Sequence, residues 1–331
     1  MKKFLSIMLV LVLAFGVVST AAFADDTVKI AIVSQNQGNP VFYDLEVGAR
    51  ETAEKLGVEF EWYAPETADS VKEAELIEAA ANAGAQGIGV VPLDVTLTTT
   101  MKAVSDGGVY VSAVNSDTID YEGMAFANGT PQFDGGYNCG TLALTYLTDP
   151  DKTYTIAMIE GQAGTEAFTK RMEGFEQCLI DNGIKYEILA KLPCDDDFNK
   201  AVEQVETFTI ANPDLDMWFF AGGWPLMVEV DSLPEFAKWH AQEGHYCISF
   251  DAFPPMEAFF DAGLCDGCCG QYYYKMGEMT VTYLYNLITG AEELPAPERE
   301  LGESKTPWFS TGTLNIMPAE YKDAFGAMMP W

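Results

Sequence analysis

Short apolar runs separated by helix-length amphipathic stretches recur in two sets along this chain, and that alternation leaves few folds open. The first set of strand-like runs lies at Val28–Ser34, Val58–Tyr63, Gly87–Val91 and Val109–Val114. After Gly129 the pattern restarts at Tyr154–Ile159, Tyr186–Leu192, Met217–Ala221 and Tyr246–Phe250. Apolar strands joined by crossover helices imply parallel sheets covered on both faces. The first connecting stretch, FYDLEVGARETAEKLG, has helical spacing in Phe42, Leu45, Ala49, Ala53 and Leu56, and Gly57 is its stop signal. The expected fold class is α/β, with two Rossmann-like lobes rather than one large sheet. No low-complexity linker lies between the two sets, so the lobes are expected to be joined by strands crossing over.

The N-terminus reads as an export signal. Lys2 and Lys3 precede the apolar run Phe4 to Val18, and Ala22-Phe23-Ala24 is a small-residue cleavage site, giving a signal peptide over 1–24 and a mature start at Asp25. No cysteine precedes Cys139, so a thioether-linked lipid is not expected. The expected product is soluble, in a periplasm-like space or secreted. Without those 24 residues the chain carries 16 lysines and arginines against 50 acids, a net −34. A surface this acidic repels phosphate backbones and anionic lipids, so nucleic acid is not an expected partner.

The odd count of seven cysteines argues against a full set of disulfides. Cys265, Cys268 and Cys269 form a CxxCC, but LCDGCCGQYYY reads as a strand leading into a helix. Adjacent strand residues point to opposite faces, so Cys268 and Cys269 would not share an ion, and only His240 and His245 are available as histidine ligands. Buried free thiols and no metal are expected.

The segment GQAGTEAFTKRMEGF follows the strand-like YTIAMI and reads as a turn opening a helix. It holds Arg171, one of three arginines in the chain. A guanidinium just past a strand's C-terminal end faces the crevice where open α/β sheets bind ligands, and its fork of donors fits paired oxygens. Phe168, Met172 and Phe175 are expected to hold this helix, leaving the guanidinium without a folding role. GQAGT lacks the Gly-Lys-Ser/Thr of a phosphate-binding loop. Asp195, Asp197, Asn199, Glu203 and Glu206 have the spacing of a calcium loop, but Lys200 stands where the sharp turn needs glycine. Acidic residues at a helix N-terminus explain them instead. His240 and His245 flank the helix end AKWHAQEGH, and no Gly-x-Ser-x-Gly occurs, so an enzyme is not expected.

Four motifs together carry a family resemblance: GNPVFYDLEVGARETAEKLG, GQAGTEAFTKRMEGF, the strand-end aspartate of CISFDAFPPMEAF, and LCDGCCGQYYYKMG. In this order and spacing the mature chain resembles periplasmic sugar-binding proteins of the ribose/galactose type, the extracytoplasmic receptors of ABC importers. The resemblance implies two lobes linked by three crossovers, with ligand clamped between them. Lobe one would be 25–129 plus 272–308, and lobe two 130–271 plus 309–331. It also implies site residues. Asn39 would hydrogen-bond a hydroxyl and Phe42 would stack on a ring. Arg171 is the loop-helix guanidinium, Phe198 an aromatic after the next acidic loop, Asp251 the strand-end carboxylate, and Gln271 the hinge glutamine.

The chain departs from this pattern at two places. Where ribose-binding relatives have Asp-Arg after the fourth strand, this chain has Asn115-Ser116, which argues against ribose itself. The family's Asn-Asp after the strand ending near Ala221 becomes Gly222-Gly223, followed by Trp224, a broad platform for a sugar face or a filler beneath the loop. Asp251 also has two roles open, ligand contact and cap of the following helix.

A sugar presents hydroxyls all round and C–H patches on its faces, so its site interleaves polar and aromatic side chains. Asn39, Asn115, Arg171, Asp251 and Gln271 supply the first kind, and Phe42, Phe198 and Trp224 the second. The expected protein is an exported, monomeric, non-catalytic receptor without a cofactor. It would bind a monosaccharide or similar polyhydroxylated molecule, close about its hinge, and dock an ABC permease. The alternative is a sensor for a polyol, nucleoside or furanosyl signal that docks a chemoreceptor or kinase.

Overall fold

The computed structural model describes residues 27–37, 40–116, 119–298 and 305–328. The predicted signal peptide and Asn39 lie outside the described residues. The first sheet contains β1 (Lys29–Val33), β2 (Glu59–Tyr63), β3 (Gly87–Val90), β4 (Tyr110–Val114), β5 (Phe126–Gly129) and β11 (Trp308–Ser310). Its order is β11-β5-β4-β3-β1-β2, and every pairing is parallel. The second sheet contains β6 (Thr153–Glu160), β7 (Lys185–Pro193), β8 (Met217–Phe220), β9 (Tyr246–Phe250), β10 (Gly267–Gln271) and β12 (Thr313–Ile316). Its order, β12-β10-β9-β8-β6-β7, repeats the first, except that β12 runs antiparallel to β10. Both sheets thus reverse strand order beside their first strand, the place where open α/β sheets leave a crevice at the carboxyl strand ends.

The connecting helices are α1 (Tyr43–Leu56), α2 (Ser70–Asn82), α3 (Thr98–Asp106), α4 (Gln132–Ala143), α5 (Glu166–Asp181), α6 (Phe198–Ala211), α7 (Pro234–His240), α8 (Glu257–Asp261), α9 (Tyr273–Thr289) and the terminal α10 (Tyr321–Met328). Local signals set many of their ends. Gly57 takes φ 69° after α1, and its N–H donates back to the carbonyls of Ala53 and Glu54. Asp197 caps α6 by accepting from the Lys200 N–H, and Asp195 pairs with the Lys200 ammonium, so two of the acids with calcium-loop spacing serve this helix start.

The chain passes between the sheets three times. It leaves the first sheet after Gly129, returns after Gln271, and leaves again at Thr311 and Gly312, since β11 pairs with β5 through Ser310. Two helices start at these crossings, and each is pressed against the helix that follows the first strand of its sheet. A Cβ on Gly48 of α1 would overlap the Tyr274 carbonyl of α9, and one on Gly277 of α9 would overlap the Leu45 carbonyl of α1. In the second lobe a Cβ on Gly136 of α4 would overlap the Arg171 carbonyl of α5, and one on Gly174 the Phe133 carbonyl of α4. Both helix pairs therefore meet backbone to backbone, which fixes α5 relative to the first crossing and α1 relative to the second.

All seven cysteines are buried and free. Cys268 joins the core containing Cys247 and Phe220, whereas Cys269 joins the one containing Cys139 and Phe250, so the CxxCC neighbours do face opposite sides of β10.

Candidate functional site

A cleft of about 770 Å³ opens where the carboxyl ends of both sheets face each other. From the first lobe it is lined after β1 by Gln35 and Asn36, after β3 by Leu93 and Asp94, and after β4 by Asn115 and Ser116. From the second lobe it is lined by the turn after β6, Asp195 and Asp196 after β7, Trp224 after β8, and Asp251 and Phe253 after β9. A smaller groove of about 370 Å³ on α6, lined by Leu192 and Phe208 among others, has no strand ends converging on it except that of β7.

Of the residues singled out from sequence, Phe42, Asn115, Arg171, Phe198, Trp224 and Asp251 all line this cleft. Gln271 lies one layer behind. It is 3 % exposed, and its amide N–H groups donate to Asp251 Oδ1 at 2.7 Å and to the Tyr273 hydroxyl at 2.6 Å.

Arg171 is 5 % exposed, which changes the role expected of it. Its Nε donates to Gln132 Oε1 at 2.6 Å and its Nη1 to the Ala221 carbonyl at 2.8 Å, while the guanidinium carbon sits 3.9 Å from the centre of the Phe250 ring. The guanidinium is therefore part of the fold as well as the cleft wall, contrary to the expectation that it carries no folding role. Met172 and Phe175 do anchor α5 in the core, but the half-buried Phe168 turns toward the cleft. Its ring meets Trp224 edge-on, with centroids 5.2 Å apart and planes at 81°.

Asp251 takes φ 73°, in the left-handed region, and accepts from the Gly223 N–H at 3.2 Å as well as from Gln271. It does not cap the following helix: the short turn before α8 starts after Phe253 without a side-chain cap. Asp251 instead ties the ends of β8, β9 and β10 together. Gly222 and Gly223 do not supply positive φ. A Cβ on Gly222 would overlap the indole of Trp224, so this glycine makes room for the ring.

Asn115, at the equivalent end of β4, also has positive φ, 54°. Gly129 passes close beneath it, and a Cβ there would lie 2.8 Å from the Asn115 Cα. Both Asn115 Oδ1 and Gln271 Oε1 are buried without a hydrogen-bond partner among the described residues. Buried acceptors of this kind are rare in native proteins unless something else satisfies them. Burial, with Asp251 nearby, holds the Tyr273 phenol well above its usual range, so it stays a neutral hydroxyl. Burial also raises Asp196, partly offset by the Arg171 charge.

Several cleft residues carry weaker signals in the sequence. Phe168 has the spacing of a core residue, although it lies one helical turn before Arg171 on the same face. Phe253 and Tyr273 follow Asp251 and Gln271 by two residues, a proximity that could have marked them. Gln132 has no such signal. Neither His240 nor His245 lines the cleft; His240 is half-buried and hydrogen-bonds Asp266 at 2.7 Å.

One wall loop rests on a buried acid. Glu73 of α2 is fully buried, with one carboxyl oxygen accepting from the Leu93 N–H at 3.2 Å and the other lacking a partner among the described residues. Burial, with a smaller contribution from the Asp94 charge, pushes its pKa up to about 8. The folded chain therefore binds this proton more tightly than the unfolded one. Its contribution to stability is complete below the ordinary value of 4.5 and is lost as pH rises through about 8. Glu73→Gln keeps an acceptor for Leu93 but does not ionise. Melting curves from pH 6 to 9 should show the wild type losing stability relative to the variant, by up to about 1.4 kcal/mol per pH unit. Parallel curves would show that Glu73 does not titrate in this range.

Comparison with known proteins places these features in a family. The model of the family described as periplasmic binding protein domain matches residues 30–292. The D-allose-binding periplasmic protein of Escherichia coli is 25 % identical over 297 residues, covering 86 % of this chain and 93 % of that protein. The ribose import binding protein of Haemophilus influenzae is 28 % identical over 225 residues, covering 66 % and 72 % respectively. Among solved structures, a periplasmic solute-binding protein of Actinobacillus succinogenes with bound D-allose superposes with a TM-score of 0.76 at 16 % identity, over 90 % of this chain and all of that one. A solute-binding protein of Burkholderia graminis in complex with D-arabinose gives 0.74 at 21 %, over 88 % and 96 %. With the two-lobed α/β architecture and a cleft at both sets of strand ends, the chain belongs to the periplasmic binding protein domain family.

Proposed function

We propose that this protein is a non-catalytic, exported receptor that holds a monosaccharide or a similar small polyhydroxylated molecule between its lobes and delivers it to an ABC permease. The observation that carries the reading is the cleft wall itself. Arg171 and Asp251 supply charged donors and acceptors, and the lining Asn115 holds a buried oxygen that a hydroxyl would satisfy. Phe42, Phe168, Phe198 and Trp224 add apolar faces for C–H patches. Relatives that bind allose and ribose support the ligand class. Among the described residues, the lining acids Asp94, Glu166, Asp195, Asp196 and Asp251 stand against the single cation Arg171, which favours a neutral ligand over an anionic one.

Closure would turn the segments at Gly129–Thr130, Gln271–Tyr272 and Thr311–Gly312, because two lobes rotate about a ligand through a few element-end residues that absorb the backbone change. A thermal-shift screen over D-allose, D-arabinose, D-ribose, polyols and nucleosides is expected to find a neutral sugar that stabilises the protein by about 2.7 kcal/mol at 100 times its Kd. Small-angle scattering with that sugar at saturation should show a smaller radius of gyration. No shift with any sugar, or an unchanged scattering curve on binding, would reject the reading in its ligand or its closure part respectively. Consumption of the sugar during incubation would reject the non-catalytic part.

A further inference from the structure

We propose that Gln132 is a positioning residue for the binding site, one that aims Arg171 and ties it to the first crossing between the lobes. This rests on the reading that Arg171 contacts ligand. Gln132 opens α4 two residues beyond Thr130 and is 2 % exposed. Its Oε1 accepts from Arg171 Nε at 2.6 Å, and its Nε2 donates to the Thr130 carbonyl at 3.1 Å. Thr130 is fully buried, and its hydroxyl donates to the Gly312 carbonyl in the third crossing at 3.4 Å. One amide thus connects the guanidinium to two of the three segments that join the lobes.

The chemistry of this link bears on binding. With Nε taken by Gln132 and one Nη1 hydrogen taken by Ala221, the fork can turn only its Nη edge to the cleft. The planar guanidinium is held from one face by the Phe250 ring. An amide is a neutral acceptor, so it orients the cation without neutralising it. A carboxylate at the same place would form a buried ion pair and compete with ligand oxygens for the charge. A parallel link exists on the other charged wall group: Gln271, the last residue of β10, donates to Asp251 Oδ1 and reaches Tyr273 at the start of α9. Arg171 and Asp251 are therefore each tethered by a glutamine at a crossing.

The scarcity of arginine makes a direct test practical. With three arginines in the chain, a ¹⁵N spectrum of the labelled protein has three Nε–H signals to assign, and that of Arg171 is the one lost in Arg171→Lys. It should exchange slowly with water in the wild type and rapidly in Gln132→Met, which removes both hydrogen bonds at similar volume. Gln132→Asn, one methylene too short to reach both partners, replaces Gln132→Met should the latter not fold. Calorimetry with D-allose, D-arabinose and D-ribose should show affinity falling about tenfold or more in the Gln132 variant. The double variant with Arg171→Ala should be no weaker than Arg171→Ala alone, because Gln132 acts through that side chain.

Wild-type affinity in the Gln132 variant beside a weakened Arg171→Ala would overturn the proposal, as would additive losses. Unchanged affinity in Arg171→Ala would instead overturn the site assignment on which it rests. Should none of the three sugars bind, the Nε–H exchange decides: fast exchange in the wild type, or no change in the variant, overturns the tether.

Discussion

Gly136→Ala is expected to unfold or severely loosen the second lobe, with a loss of about 3 kcal/mol or more. Overpacking a rigid site costs roughly 1–3 kcal/mol when side chains can move aside. Here the added methyl meets the backbone carbonyl of Arg171, which has no rotamer to change. The helices α4 and α5 would have to separate, weakening contacts along their whole interface and shifting Arg171 away from Gln132 and Ala221. Sugar affinity should therefore fall together with the melting temperature. Gly326→Ala is the matched control. It also lies in a helix, α10, but a Cβ there meets nothing within 4 Å, so the better helix propensity of alanine should leave stability unchanged or raise it by up to about 1 kcal/mol. Equal melting temperatures for the two variants would contradict the backbone-to-backbone packing described above.

Arg171→Ala should weaken binding of the sugar found by thermal shift by roughly 10- to 150-fold, the equivalent of about 1.5–3 kcal/mol for hydrogen bonds from a charged donor. The structure adds a second consequence. Gln132 Oε1 and the Ala221 carbonyl lose their donor in a buried setting, so the ligand-free protein should also melt earlier, at a cost of about 1–3 kcal/mol for each group left unsatisfied. Arg171→Lys retains the charge but not the planar fork, and is expected to restore neither bond pair fully. Calorimetry alongside ligand-free thermal unfolding separates the two losses. A lower melting temperature with wild-type affinity would make Arg171 a structural residue of the cleft wall only.

The strands predicted from sequence correspond to β1–β4 and β6–β9, with ends displaced by a residue or so, because β-strand composition and helical periodicity are local properties. The end of α1 at Gly57 was legible for the same reason. Of the six cleft residues named from sequence, Arg171 followed from its place in the turn and helix after a strand, because parallel sheets put every strand-to-helix turn at one edge, whereas Phe42, Asn115, Phe198, Trp224 and Asp251 were named through the family resemblance. The short β5 and β11 carry too little pattern to be read as strands. They pair with each other, Ala127 opposite Trp308, across a long stretch of intervening chain, so nothing local announces them.

The sequence by itself therefore determined the fold class, the repeated topology and the strand-end positions at which ligand groups could stand. Only the tertiary structure decided how those groups are held. Gln132 meets Arg171 across 39 residues, Gly223 meets Asp251 across 28, and Gly136 touches a carbonyl of another helix. None of these pairings leaves a trace in local composition, because each is set by the distance and angle between elements, and those come from how the helices pack on the two sheets.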